Sequence, residues 1–392
     1  MAGIGISDRI KGFGSVPFDS IVKKIRDRIP EKFPYLRYFG GLGFKEAATV
    51  DSDWKAFGGY QFVLPQFQFY KEQGQNYFLC NILLDDQQAY QPQVEAVIET
   101  WKSIDHHPST EHDALPSPIL REDTPDFKRW KSIVDRALEG IEKKRYQKIV
   151  LARKTTFQFS NKVNPITLMA LLKQVHQACF HFCFQPEKDV AFLGGSPERL
   201  FYRKGHLIKS EAIAGTRKRG SSPEEDDRLA KSLMESPKEI HEHHVVFNAI
   251  EKTLLELCDT LSQCERTNIL KLQTVQHLLH EFEGKLHDQV TDGTILHALH
   301  PTPAVGGYPY HQALLDILKF EPFDRGWYTG PIGWVSSDSI DFVVAIRSGL
   351  LIDKTLNIYA GAGIVEGSSP QKEWEEVENK IRHMMGIITS KE

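Results

Sequence analysis

The chain has 392 residues, of which 41% are hydrophobic and 26% are charged, a composition typical of a globular protein with a large core. Its formal net charge of -4 excludes the strong basic field that attracts nucleic acids or anionic membranes. Apolar runs fall short of the roughly 20 residues that span a bilayer, and we expect no signal peptide. Five cysteines without a Cys-x-x-Cys pair predict reduced thiols and a cytoplasmic protein.

The N-terminal part, residues 1–105, contains short β-like runs separated by glycine-rich turns. Residues 106–123 are rich in His, Pro and acidic side chains and lack periodicity, which predicts a loop. Thr124-Pro-Asp then has the pattern of a helix start, with Thr124 as the N-cap. Apolar side chains recur at spacings of three and four residues over 127–141, which predicts an amphipathic helix.

The remaining residues, 124–392, contain short strands punctuated by glycine and two long helical patterns, at 223–257 and 373–388. The strands follow one another as neighbours instead of alternating regularly with helices, which favours an α+β fold over a βαβ fold. The predicted strands are 148–153, 191–201, 207–214, 328–334, 342–351 and 356–360.

Two pairs of glutamates each share one helix face, because their members are three residues apart: Glu239 with Glu242, and Glu373 with Glu376. If the two helices face each other, the four carboxylates form an oxygen-rich site for a hard cation such as Mg²⁺. Glutamates at this spacing are also common on solvated helix faces, so the spacing leaves both interpretations open. Histidines surround Glu242, but Val245 breaks the His-Glu-x-x-His signature of zinc proteases.

Lys148 and Glu198 are candidate proton-transfer groups. Lys148 begins a strand whose two faces are largely apolar, and burial would disfavour its charged form and make it a usable general base. The alternative is a lysine that extends from the strand end to water. Glu198 follows a glycine pair and a proline at the exit of an apolar strand, where desolvation would raise its pKa and let it donate a proton. The alternative is a turn glutamate paired with Arg199.

Three glycine-rich turns, at 214–216, 303–307 and 361–363, would let backbone N–H groups approach an anion closely. Glu366 occupies the place of the third glycine in the dinucleotide fingerprint, so the last turn does not predict a dinucleotide site. Arg347 ends an apolar strand and is a candidate for a bidentate carboxylate clamp.

Nine short motifs follow one another in order: KIVLAR at 148–153, GGSPERL at 194–200, EAIAGT at 211–216, EH at 242–243, VQHL at 275–278, HPTPA at 300–304, DRGWYTGPIG at 324–333, AIRS at 345–348, and AGAGIV at 360–365 with EWxE at 373–376. In this order they resemble the chorismate-utilising enzymes, and among these the isochorismate synthases. The resemblance covers the chain from about residue 125 to its end, and it is loose in the N-terminal third.

The resemblance implies one chorismate-utilising domain over 1–392, built from two packed, mostly antiparallel β-sheets flanked by helices, with the site in a central cleft. It implies Lys148 as the base and Glu198 as the acid. Mg²⁺ would be held by Glu242 and Glu376 directly and by Glu239 and Glu373 through water. The implied contacts to substrate are Gly215, Thr216, His277, Arg347, Tyr359, Gly361, Ala362, Gly363 and Lys380.

The implied activity is that of an isomerase: reversible conversion of chorismate to isochorismate, for menaquinone or catechol siderophore biosynthesis. Anthranilate synthases usually carry glutamine where Lys148 stands, and aminodeoxychorismate synthases carry lysine where Ala214 stands, so both positions favour water addition. A salicylate synthase, which also eliminates pyruvate, and a non-catalytic chorismate-binding relative are the alternatives. We expect no glutamine amidotransferase subunit and no nucleic-acid or membrane partner. The resemblance leaves the oligomeric state open and is compatible with a monomer.

Overall fold

The computed structural model describes residues 1–30, 33, 35–45, 51–72, 74–84, 90–104, 115–175, 179–263, 266–273 and 275–389. Cys264 and residues 106–114 of the predicted loop lie outside these ranges. The four cysteines within them, Cys80, Cys179, Cys183 and Cys258, are free thiols, as predicted. None of the described helices is both long and apolar enough to cross a membrane.

Twenty strands within the described ranges pair only in antiparallel fashion. The strands are β1 (Ala2–Ile4), β2 (Asp8–Gly12), β3 (Tyr38–Leu42), β4 (Tyr60–Leu64), β5 (Phe67–Glu72), β6 (Gln75–Cys80), β7 (Pro118–Thr124), β8 (Lys148–Phe159), β9 (Phe180–Glu187), β10 (Val190–Ser196), β11 (Arg199–Lys204), β12 (Leu207–Lys218), β13 (Cys258–Gln263), β14 (Asn268–Lys271), β15 (Val275–Leu286), β16 (Gly307–Tyr308), β17 (Pro331–Val335), β18 (Ser339–Val344), β19 (Ser348–Ile352) and β20 (Thr355–Ile364).

Nine helices and a 3₁₀ turn at Ser52–Trp54 occupy the same ranges. Helix α6 packs on β12 and helix α9 packs on β20, so the two helices that carry the glutamate pairs lie against the two large sheets. The helices are α1 (Phe18–Arg26), α2 (Tyr90–Ser103), α3 (Phe127–Glu142), α4 (Pro165–Val175), α5 (Pro223–Met234), α6 (Pro237–Leu257), α7 (Asp292–Leu299), α8 (Tyr310–Phe320) and α9 (Pro370–Thr389).

Two large sheets form the body of the protein. The first sheet has the order β16-β8-β20-β19-β10-β9, with β7 paired to β8, and the second has the order β13-β15-β12-β11-β18-β17-β3-β4-β2, with β14 paired to β15. Their side chains meet in one core cluster, which includes Ala152 and Phe192 from the first sheet and Ile332 and Val343 from the second. The predicted α+β fold with two packed antiparallel sheets is confirmed, and a small third sheet, β1-β5-β6, adds to it.

The predicted loop at 106–123 is wrong at its C-terminal end, because strand β7 occupies Pro118–Thr124 and pairs with β8. No apolar alternation marks β7 in the sequence: Ile119 and Leu120 are exposed, and its Arg121 and Asp123 form ion pairs with neighbouring elements. Thr124 is therefore the end of a strand. The N-cap of α3 is Asp126, whose carboxylate accepts the N–H of Arg129 at 2.8 Å.

Three predicted elements are each divided in the structure. The helix at 223–257 becomes α5 and α6, because Pro237 has no N–H to continue a helix and is favoured at the start of a new one. The strand at 191–201 becomes β10 and β11, and the strand at 342–351 becomes β18 and β19. In both strand pairs one member belongs to the first sheet and the other to the second. Apolar periodicity indicates which residues are buried, but it does not show where the chain passes from one sheet to the other.

A buried ion pair between Arg325 and Glu321 connects strand β8 of the first sheet to the neighbouring loops. Arg325 and Glu321 are almost fully buried and 2.6 Å apart, and Glu321 also accepts the N–H of Ala152. The Arg325 guanidinium donates to the carbonyls of Val150 and Val305, each at 2.8 Å. The Arg325 side chain thus joins β8 to the segment before β16, and its positive charge is paired with Glu321.

Substitution Arg325→Met should lower the free energy of unfolding by about 3–5 kcal/mol, because it leaves the Glu321 carboxylate buried without its cation. The double variant Glu321→Met/Arg325→Met should recover much of that loss, since no unpaired charge remains. Urea-induced unfolding measures both. Arg382→Met is the control, because the Arg382 side chain is 73% exposed. A loss below about 1 kcal/mol in Arg325→Met would show that this ion pair does not hold the fold.

Candidate active site

A cleft with an empty volume of about 740 Å³ lies between the two sheets. Most of the residues predicted for the site line it together: Lys148, Glu198, Gly215, Thr216, Glu242, His277, Arg347, Tyr359, Gly361, Gly363, Glu376 and Lys380. Glu239 and Glu373 do not line the cleft; each lies three residues before Glu242 or Glu376, about one turn earlier on the same helix face. Ala362 is not brought to the cleft, because it alternates with its glycine neighbours on β20 and packs in the core on the other face.

Glu198 and Arg347 owe their places to the two points where the chain passes from one sheet to the other. Glu198 lies between β10 and β11, and Arg347 lies between β18 and β19. The two crossings are bonded to each other, since Gly195 N–H donates to the Arg347 carbonyl and Val344 N–H donates to the Glu198 carbonyl, each at 3.1 Å. Arg347 has a φ of 51°, a conformation that is rare outside glycine and is held here by these flanking strands.

Glu198 is 2% exposed, and the hydroxyl of Thr302 donates to its Oε1 at 3.2 Å. Burial raises the pKa of Glu198 to about 8; the Thr302 hydrogen bond opposes this shift and the negative charge of Glu211 adds to it. At neutral pH the carboxyl is therefore protonated and able to donate. The alternative pairing with Arg199 is wrong, because Arg199 pairs with Glu211 and Asp341.

Lys148 is 1% exposed, so the alternative of a lysine that extends to water is wrong. Its Nζ lies 2.9 Å from Glu242 Oε1, and this ion pair joins strand β8 to helix α6. Gly363 makes room for this pair: a Cβ at that position would overlap the Glu242 carboxylate and lie 2.7 Å from Lys148 Cε. The close approach requires glycine at this position.

The four glutamates of α6 and α9 come together and each is held by a donor. Glu239 accepts the N–H of Thr216 at 2.9 Å and Glu242 pairs with Lys148. Glu373 pairs with Lys238 at 2.8 Å, and Glu376 pairs with Lys380 at 2.7 Å. Glu373 is fully buried and Glu239 is 8% exposed, so the interpretation as a solvated helix face is wrong.

The charges of this group repel one another. Burial raises the pKa of Glu239, and repulsion from Glu242 and Glu376 adds to the shift. Burial and the charge of Glu376 likewise raise the pKa of Glu373. Among the described residues no three acidic, His or Cys side chains already form a ready ligand set. However, Glu373 Oε2 is buried without a hydrogen-bond partner, and the donors are all carboxylate oxygens, so the residues fit a hard divalent cation.

Another part of the cleft is suited to a carboxylate. Arg347 is 8% exposed, its NH2 donates to His277 Nε2 at 3.1 Å, and its NH1 has no partner among the described residues. Burial, followed by the charges of Arg347 and Lys380, lowers the pKa of His277 to about 3, so the ring is neutral. Its Nδ1 then carries the proton and donates to the Gly215 carbonyl at 3.1 Å. The NH1 group is thus a buried donor for which the described residues supply no acceptor.

Comparison with known proteins identifies the family. A family model described as chorismate binding enzyme matches residues 2–389. The chain belongs to the chorismate-binding enzyme family. The isochorismate synthase, chloroplastic, of Catharanthus roseus is 33% identical to this chorismate-binding enzyme over 99% of the chain and 68% of its own length.

Two solved structures have the same fold as this chorismate-binding enzyme. MenF, the menaquinone-specific isochorismate synthase from Escherichia coli, superposes with a TM-score of 0.85 at 27% identity, covering 99% of this chain and 85% of that chain. Anthranilate synthase component I from Streptococcus pneumoniae TIGR4 superposes with a TM-score of 0.82 at 20% identity, covering 97% and 91%. The latter likeness concerns the fold alone, and it confirms the predicted chorismate-utilising fold.

Sequence reasoning missed several residues of the site. Thr302 bonds to Glu198, and Tyr328 lines the cleft and stacks on Tyr359 with ring centroids 5.2 Å apart. Both lie inside motifs that mark the family, at 300–304 and 324–333, which was the available signal. The remaining unpredicted lining is apolar, and all of it except Val305 also lies inside the family motifs, but an apolar side chain gave no chemical reason to assign it to the site: Val150, Pro197, Ile213, Ala214, Ala304, Val305, Ile346 and Ala360.

The raised pKa of Glu198 predicts a stability effect that does not depend on any activity. The folded state holds this proton up to about pH 8, whereas an unfolded glutamate releases it near 4.5, so stability is lost as the pH rises between these values. Glu198→Gln should remove about 4 kcal/mol of the fall in unfolding free energy between pH 5 and pH 9. Urea unfolding at both pH values measures it.

Glu235→Gln is the matched control, because the Glu235 side chain is 64% exposed and should change this pH dependence little. If Glu198→Gln and the wild-type protein lost stability equally on going to pH 9, Glu198 would be an ordinary ionised carboxylate in the folded state.

Proposed function

We propose that this protein is an isochorismate synthase, an isomerase that interconverts chorismate and isochorismate. The observation that carries the proposal is that one cleft contains both a buried lysine, Lys148, and a buried, protonated carboxyl group, Glu198. A base and an acid in separate environments are what the exchange of one ring hydroxyl for another requires. The similarity to isochorismate synthases supports the same assignment.

In the proposed reaction, Lys148 acts as the free amine, after its ammonium form in the ion pair with Glu242 has given up a proton. A water oxygen then bonds to ring carbon 2 while Lys148 accepts the proton of that water. The ring double bonds shift, and the bond between carbon 4 and its hydroxyl oxygen breaks. Glu198 donates its proton to this oxygen, which leaves as water. Lys148 ends as an ammonium and Glu198 as a carboxylate, and proton exchange with solvent restores both. Hydroxyl replaces hydroxyl, so we expect a readily reversible reaction.

The other lining residues bind and orient the substrate. Arg347 would offer its NH1, which has no partner among the described residues, to a substrate carboxylate, and the neutral His277 would line the pocket near the departing hydroxyl. Lys380 reaches the cleft from α9 and donates to the Gly361 carbonyl at 2.8 Å. Backbone N–H groups near Gly215, Thr216, Gly361 and Gly363 and the side chain of Tyr359 complete the contacts.

We assign Mg²⁺ to the four glutamates, with Glu242 and Glu376 as direct ligands and Glu239 and Glu373 acting through water. Their mutual repulsion and the partnerless Glu373 oxygen support a cation there. When bound, the ion would neutralise and orient the ring carboxylate of the substrate. The protein contributes the fixed arrangement of the two helices that hold these carboxylates.

The proposal extends to the whole chain acting as one domain, because strands β2, β3 and β4 share a sheet with strands that position the site. The product would serve menaquinone or catechol siderophore biosynthesis, without an amidotransferase subunit, since water replaces ammonia. The free thiols of the described cysteines support a reducing compartment such as the cytoplasm.

The direct test is incubation of the purified protein with chorismate, with and without Mg²⁺, and identification of the products by chromatography and NMR. We expect isochorismate that depends on Mg²⁺, without pyruvate. Salicylate together with pyruvate would instead identify a salicylate synthase. Unchanged chorismate would overturn the proposal and leave a protein that only binds it.

Lys148→Ala should lower kcat by at least about a hundredfold, because it removes the base that activates water. Chorismate and Mg²⁺ binding, measured by isothermal titration calorimetry, should remain close to wild type. Lys154→Ala is the matched control, since Lys154 lies on the same strand, 21% exposed, and outside the cleft. Normal turnover in Lys148→Ala would rule out Lys148 as the base.

A further inference from the structure

Behind Glu198, on the far side from the cleft, a second carboxylate holds the backbone of the crossing. Glu211 lies on β12, its side chain is 15% exposed, and its Oε2 accepts the N–H of Arg199 at 3.0 Å. Arg199 directly follows Glu198 in the chain. Pairing between β11 and β12 begins only at Tyr202, so no backbone carbonyl of β12 is in register with Arg199. The Glu211 side chain takes the place of that missing acceptor.

The position of Arg199 is constrained from its other side as well. Its Nε donates to Asp341 of β18 at 3.1 Å, and the register between β11 and β18 shifts just after Arg199. A residue at a shifted register lacks the regular ladder that fixes its neighbours. Two carboxylates, Glu211 on one side and Asp341 on the other, therefore fix the residue next to the acid.

The charge of Glu211 also acts on Glu198. The charged groups around Glu198 are Lys148 of β8 and Glu211 of β12. Those around Glu211 are Arg199 of β11, Glu281 of β15 and Asp341 of β18. Burial raises the pKa of Glu211 to about 7; Arg199 opposes this shift, and Glu281 and Asp341 add to it. Above that pH the ionised Glu211 disfavours a second negative charge on Glu198.

Glu211 does not face the substrate cleft. It lines a separate cavity with an empty volume of about 460 Å³, together with Arg199, Lys209, Glu281 and Glu283. This cavity lies on the β12–β15 part of the second sheet, and Glu281 and Glu283 are exposed there. Glu211 can therefore exchange its proton with water while a substrate fills the cleft.

We propose that Glu211 is a positioning residue for the acid Glu198: its carboxylate fixes the backbone next to Glu198, and its negative charge favours the neutral form of Glu198. The role rests on the proposed function, in which Glu198 must donate a proton. Glu211 touches neither the substrate cleft nor the reacting atoms, and it acts only through Glu198 and Arg199.

Two substitutions separate the two parts of the role. Glu211→Gln keeps an oxygen that can accept the Arg199 N–H but removes the charge. The pH above which kcat/KM for chorismate falls should then be lower by about one unit, while kcat at pH 6 stays close to wild type. Glu211→Asp keeps the charge but withdraws the acceptor. The pH above which kcat/KM falls should then stay the same while kcat falls about tenfold at every pH, because the acid is less well placed.

Glu283→Gln is the matched control, since Glu283 lines the same cavity, is half-exposed and pairs with Lys209 at 2.7 Å. It should leave both the pH profile and kcat unchanged. If the pH above which kcat/KM falls did not shift in Glu211→Gln, the electrostatic part would be overturned, and an unchanged kcat in Glu211→Asp would overturn the positional part. Wild-type protein without isochorismate formation would instead overturn the proposed function itself, before any variant is compared.

Discussion

The site depends on a pair of backbone hydrogen bonds that join two sheet crossings. Gly195 donates to the carbonyl of Arg347, and Val344 donates to the carbonyl of Glu198. Each crossing leaves a short stretch of chain outside regular pairing, and each supplies the other with the partners it lacks. Because the crossings are tied, the carboxyl of Glu198 and the guanidinium of Arg347 hold a fixed relation at the junction of the sheets. A displacement of either strand pair would move both groups.

Burial of charge is the second constraint. The cleft holds Lys148 and Arg347 with their side chains almost fully buried, beside four carboxylates of two helices. A buried charge is costly unless it is paired, so Lys148 pairs with Glu242 and Lys380 pairs with Glu376. At the site, NH1 of Arg347 and Oε2 of Glu373 are buried and have no hydrogen-bond partner among the described residues. The two groups carry opposite charges. The guanidinium of Arg347 is suited to bind a substrate carboxylate, and the carboxylate of Glu373 is suited to a cation.

The sheets also explain why so many small residues surround the site. Strand β20 alternates between core and cleft, so Ala362 fills the core while Gly361 and Gly363 leave space above the strand. That space admits the ion pair of Lys148 and Glu242. Gly215, with a φ of 74°, lies where β12 shifts register against β15, and its carbonyl accepts a hydrogen bond from His277. The small residues are therefore positions where a side chain would occupy the place of a functional group.

The sequence by itself determined the α+β class, helices α3 and α9, the pairing of glutamates on helix faces and, through its ordered motifs, most of the cleft lining. These features depend on the spacing of residues along the chain, which can be read directly from the sequence. Strand β7, the division of two apolar runs between two sheets, and the contacts of Thr302 and Glu211 with the region of Glu198 were decided by the tertiary structure alone. Each of them depends on which distant residue lies opposite. The apolar strand before Glu198 predicted a raised pKa but left a pairing with Arg199 open, and the tertiary structure decided between the two because it buries Glu198 and pairs Arg199 with Glu211 and Asp341.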